Sequence, residues 1–259
     1  MKKTIAAVIA FFILSVPSLH ADPPEDWATT LIDTTIYVEG LPYRVQRITS
    51  DEFRQLYNKH YIKPSKPVRK MEEVDRLLGK KLKFTYKTHI YDNSYTNSKD
   101  TLYSLIELRK GKEFRFLFNI ECGGFTAYYP RERIIVYEGG HCSEYAIFVD
   151  NGEPAYNPES SAVSPHDKRY RVGGLFSGQE NIDYSIERYN AKTKRYQQLC
   201  YLYEIAANIP SEAIGYTFYV SDSFIVGNTW YFCTGNYEEG DEENNWWLWK
   251  KYIAITLPE

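Results

Sequence analysis

Histidine is scarce in this chain and poorly spaced for chemistry. Of the five present, His60, His89, His141 and His166 lie beyond the first 21 residues. No two sit at His-x-His or His-x-x-x-His separation, and no His-Glu-x-x-His occurs. Zinc needs three or four converging ligands, so no local stretch supplies a metal centre. Cys-x-x-Cys is missing too, which removes the thioredoxin motif and the usual paired-thiolate zinc spacing. The serine-hydrolase elbow G-x-S-x-G is absent: residues 174–178 read GLFSG. Ser177, His166 and Asp167 would have to converge from one short stretch, a geometry that neighbouring loop residues rarely reach. There is no Asn-x-Ser/Thr sequon, and after Val16 no apolar run of membrane-spanning length.

What is present begins with MKKTIAAVIAFFILSVPSLHA. Lys2 and Lys3 precede the apolar stretch Thr4 to Val16, and small residues lead to Ala21, the pattern of a cleaved signal peptide over residues 1–21. The apolar stretch is too short for a stable anchor. The mature chain is expected in the periplasm or the medium, with no transmembrane anchor after cleavage. Losing Lys2 and Lys3 takes the net charge from −3 to −5, which speaks against nucleic acid as a partner. Four cysteines, Cys122, Cys142, Cys200 and Cys233, in an oxidising compartment read as disulfides. Of the three possible pairings, Cys122–Cys142 and Cys200–Cys233 each join neighbouring predicted strands. The competing reading makes Cys142, beside His141, a catalytic thiol, which requires its partner cysteine unbridged as well.

The pattern divides the chain into the leader, a segment 22–81 with a β-hairpin and two short helices, and a β domain over 82–259. TTIYVEGLPYRVQRI is expected to turn at Glu39–Gly40. Thr49-Ser50-Asp51-Glu52 is a capping box, and Phe53, Leu56, Tyr57 and Tyr61 then share one helical face. Ile48 and Phe53 are placed for a hydrophobic staple, and His60 for the favourable end of the helix dipole. A second helix, about Lys66 to Leu78, carries Val68, Met71, Val74 and Leu78 on one side and ends at Gly79. From Leu82 the period becomes 2. The 24 tyrosines and 13 phenylalanines favour strands. Hairpin turns are expected near Gly111, at Asn151–Gly152 and near Lys192. Their near-regular spacing predicts a mainly β fold of antiparallel hairpin repeats, propeller-like or a sandwich or meander. RYNAKTKRY, with Tyr189 and Tyr196 as its aromatic ends, resembles the hairpin of kelch-type blades over about a dozen residues.

Three surface features bear on function. The acidic run with Glu238, Glu239, Asp241, Glu242 and Glu243 offers oxygen ligands for calcium but lacks the EF-hand order. In NNWWLWKKY, Trp247 and Trp249 share one strand face, an anchor for a protein partner or a platform for a sugar, or else core. Between Arg54 and Lys87 eleven basic residues, among them Lys63, Lys66, Arg69 and Lys70, stand against three acidic ones. Such segregated charge steers association. No cofactor is implied. The composite predicts an exported protein that binds a protein of the cell envelope without catalysis, such as an inhibitor or immunity protein against an envelope-acting hydrolase or toxin. The alternative is a glycan-binding module or glycan hydrolase of the envelope.

Overall fold

A computed structural model describes residues 32–79, 82–90, 99–110, 113–119, 124–138, 143–176, 182–214, 220–235 and 250–259. The first pair of strands, β1 (Asp33–Val38) and β2 (Leu41–Ile48), forms the hairpin read from the sequence. Its two-residue loop places Glu39 at φ 49° and Gly40 at φ 78°, the double left-handed conformation whose twist matches the strands. α1 (Ser50–His60) follows, with Thr49 Oγ1 accepting from the Glu52 amide at 3.2 Å. Lys59 and His60 occupy its last turn, where cations favour the helix dipole.

α2 (Met71–Leu78) is shorter than its apolar spacing predicts. Val68 exchanges backbone hydrogen bonds with Tyr128 instead, so Lys66 to Lys70 is extended and the helix starts only at Met71. Gly79 ends it at φ 54°, as expected. β3 (Leu82–Ile90), β4 (Lys99–Lys110) and β5 (Glu113–Asn119) make one antiparallel sheet. β6 (Phe125–Tyr129), β7 (Ile134–Glu138) and β8 (Glu144–Phe148) make another. In β7 the run Ile134 to Tyr137 is wholly buried, because Met71, Val74 and Leu78 of α2 cover one face and Ala155 and Tyr156 pack on the other. At Asn151–Gly152 the chain turns as predicted, although only Gly152, at φ 74°, takes the left-handed conformation.

The third sheet holds β9 (Ala162–Val163), β10 (Tyr170–Phe176), β11 (Ile182–Asn190) and β12 (Arg195–Tyr201) in antiparallel order. Tyr189 and Tyr196 oppose each other in register with ring centroids 5.4 Å apart. The glycine doublet in β10 has a packing role at Gly174, where a Cβ would stand 2.5 Å from Tyr184 Cε1. Two short helices, α3 (Leu202–Ala206) and α4 (Ser211–Ile214), lead to β13 (Val220–Val226), β14 (Thr229–Thr234) and β15 (Lys251–Thr256). β15 inserts between β14 and β2, so the last sheet runs β1-β2-β15-β14-β13 and joins distant parts of the chain.

Strand alternation then assigns each face of that five-stranded sheet. Tyr43, Val45, Trp230, Phe232, Ile253 and Ile255 look toward the β9–β12 sheet and share its core with Tyr170, Val172, Ile186 and Cys200. The opposite face, with Phe224, Cys233, Tyr231 and Tyr252, is covered by α1 through Phe53, Leu56, Tyr57 and Tyr61. Phe53 stands 4.9 Å from the Tyr252 ring and 5.5 Å from that of Phe224. The fold is therefore mainly β with antiparallel meander sheets, two of them stacked about one core, and the described residues form no closed barrel.

This alternation corrects one expectation. Cys200 and Cys233 are both buried thiols and are not bridged to each other. Trp230 and Phe232 point into the shared core, so Cys233, one residue further along β14, points to the α1 side, away from Cys200. Burial pushes the Cys200 thiol up to about 11, so it is almost wholly protonated at neutral pH and a poor nucleophile. The expected Cys122–Cys142 bridge lies outside the described residues, as does the catalytic reading of Cys142.

Candidate functional site

The segment between α1 and α2 contributes two residues to a cleft of about 530 Å³. Ile62 and Pro64 form one wall. Phe148, Tyr156, Pro158, Val163, Pro165 and Tyr196 complete an apolar interior. A smaller cavity of about 80 Å³ shares Ile62, Pro64, Pro158 and Pro165 and extends to His60 and Asp222. Ile62 is 58% exposed, an apolar side chain left at the rim. Tyr196 is fixed by donating its hydroxyl to the Lys168 carbonyl at 2.5 Å.

Two cations, Arg131 and Lys168, belong to the cleft wall, and Lys63, Lys66, Arg69 and Lys70 are exposed along the segment that follows α1. Arg131 donates through Nη2 to the Lys63 carbonyl at 2.6 Å, which ties the segment to the β6–β7 turn. Arg69 meets Glu159 at 3.5 Å, an ion pair exposed enough to be weak. No ion pair engages Lys63, Lys66, Lys70 or Lys168 among the described residues. Of the basic residues singled out in the sequence none is in the cleft wall, and Lys63 lies between the two residues, Ile62 and Pro64, that are.

Glu132 anchors the segment from below, accepting from the Ser65 amide at 3.1 Å, from the Ser65 hydroxyl, and from Arg131. Burial pushes its carboxyl up, but the Ser65 and Arg131 hydrogen bonds outweigh that and hold it below its ordinary value of 4.5. A lowered carboxyl stabilises the fold above the unfolded-state value and loses that contribution as pH falls through the folded one. The tether is therefore complete at neutral pH and released in acid, below 4.5. The protection factor of the Ser65 amide should fall in that window, and Glu132→Gln should remove the pH dependence. An unchanged protection factor through the acid range would contradict the tether.

A second opening, of about 370 Å³, lies between β8 and the outward face of the β9–β12 sheet. Along β10 and β11, Tyr170, Val172, Tyr184 and Ile186 face the core, which turns Arg171, Gly173, Ser185 and Glu187 outward. Arg171 is nonetheless only 8% exposed. Its guanidinium lies 4.3 Å from the Tyr196 ring centroid and 5.6 Å from that of Tyr156, and its Nε donates to Glu187. Its Nη1 is buried with no hydrogen-bond partner. Tyr156 belongs to the walls of both openings.

Among the described residues no three His, Cys, Asp or Glu side chains gather as metal ligands. No helix among them is long and apolar enough to cross a membrane. His166 and Asp167 sit exposed in a turn where Asp167 caps the Arg169 amide at 2.9 Å, and Ser177 lies outside the described residues. Trp247, Trp249 and the calcium candidates Glu238, Glu239, Asp241, Glu242 and Glu243 also lie outside them. Arg171, Glu187, Tyr156 and the prolines of the first cleft went unnoticed in the sequence. A faint signal exists in RYRVGG, where strand parity sets Arg171 opposite Tyr170 and Val172. Protein-family models, curated proteins and solved structures yield no match to this chain.

Proposed function

We propose that this chain is an exported binding protein that recognises another protein of the cell envelope through the cleft lined by Ile62 and Pro64. It acts by occupying its partner, in the manner of an inhibitor or immunity protein against a hydrolase or toxin. The observation that carries this reading is the exposed Ile62 at a largely apolar opening whose wall also carries the cations Arg131 and Lys168. Apolar contact at the centre with charge at the edge is the usual anatomy of a protein interface. The chemistry fits a partner segment that inserts an apolar or aromatic side chain between acidic neighbours. The cations then set encounter rate and partner choice, while burial of the inserted side chain sets residence time.

The partner captured from envelope extract provides the test. Ile62→Asp should weaken its binding by about a hundredfold, since it places a carboxylate where an apolar contact and negative charge should meet. Lys63→Glu with Lys66→Glu should slow association and flatten its salt dependence. A partner whose affinity ignores both changes binds elsewhere and refutes this reading.

A further inference from the structure

The opening around Arg171 differs chemically from the partner cleft. We infer that it is a separate binding site for a neutral oligosaccharide. Charge comes first. Arg171 is cancelled by Glu187, and the remaining acid, Glu144, accepts from Asn157 Nδ2 at 3.1 and 3.3 Å. An anionic ligand therefore meets no net positive charge here. Donors and acceptors alternate along the walls instead: the guanidinium of Arg171, the carboxylates of Glu144 and Glu187, and the amide of Gln198. A hydroxyl both donates and accepts, so a polyhydroxylated ring can satisfy such a mixed lining as a purely anionic or cationic group cannot.

The aromatic component is equally suited. Tyr201 lines the opening, and its ring is backed by Tyr203 at 5.3 Å with 13° between planes. A braced ring offers its face to sugar C–H groups at little conformational cost. Gly173 leaves the floor low, since a Cβ there would lie 3.6 Å from Ser185 Oγ and 3.9 Å from Tyr156 Cβ. The unpartnered Nη1 of Arg171 is the group that gains most from a ligand oxygen. Neighbouring side chains cover it, so a rotation in the wall has to accompany that contact.

The experiment titrates the full chain with cellotetraose, maltotetraose and chitotetraose, followed by calorimetry and by tyrosine ring resonances. At least one should bind saturably at millimolar concentration or below. Tyr201→Ala and Gln198→Ala should each weaken it by about tenfold. Ile62→Asp should leave sugar binding unchanged while weakening the protein partner, so the failure of one site is separable from that of the other. The assignment is overturned if no oligosaccharide binds, if binding survives both wall substitutions, or if a lysine-rich peptide binds the opening in their place.

Discussion

Trp230→Ala lowers the unfolding free energy by about 3–5 kcal/mol, the range for deleting a buried large aromatic. Trp230 is fully buried in β14, at the meeting of the two stacked sheets. Its ring stacks on Phe232 at 4.1 Å between centroids and lies 6.5 Å from Tyr184 of the opposing sheet. Its indole N–H donates to Ser223 Oγ at 2.7 Å, so alanine leaves both a void and an altered hydroxyl environment. Trp230→Phe keeps most of the volume and should cost about half as much. Urea unfolding checks both, provided the slope with denaturant stays constant. A loss under about 1 kcal/mol for alanine would mean the sheets do not meet through this residue.

Arg171→Ala is the second large effect, at about 3 kcal/mol. The side chains of Arg171 and Glu187 are 9% and 19% exposed, so removing the cation strands a carboxylate with little water to solvate it. The rings of Tyr156 and Tyr196 lose their cationic neighbour in the same step. The pair itself need not be stabilising relative to apolar side chains, because both charges were desolvated to form it. Arg171→Met combined with Glu187→Leu should therefore recover most of the loss, to within about 1 kcal/mol of the native chain. If the double replacement is as damaging as the single one, the cost lies in packing and not in a stranded charge. The double variant should fold yet lose oligosaccharide binding, which separates stability from recognition.

Signals carried by a few consecutive residues were legible. Thr49 caps α1, Phe53 to Tyr61 supply its apolar face, Glu39–Gly40 turns the first hairpin and Gly79 ends α2. Local sterics and hydrogen bonding decide those features, so the sequence reports them directly. The pairing of β2 with β15 was not legible, because it depends on which distant edge is left open once every hairpin has formed. Val68 shows the same limit: its helical spacing is overridden by a strand-like exchange with Tyr128. The error over Cys200 and Cys233 has a related cause. Adjacent aromatic strands looked pairable, but a one-residue difference in parity sends Cys233 to the other face of its sheet. None of the cations read from the sequence, Lys63, Lys66, Arg69 and Lys70, is in the wall of the 530 Å³ cleft. That hollow is built from Phe148, Pro158, Val163 and Tyr196, which only tertiary packing brings together.

The insertion of β15 between β2 and β14 also sets an order of assembly. Until residues 251–256 arrive, the strands at 41–48 and 229–234 have no neighbour to hold them side by side, and each presents an open row of backbone amides and carbonyls. The layer that seats Trp230 and Tyr43 is therefore continuous only once the last strand is in place, and a chain cut short before Lys251 lacks the strand that joins its two halves.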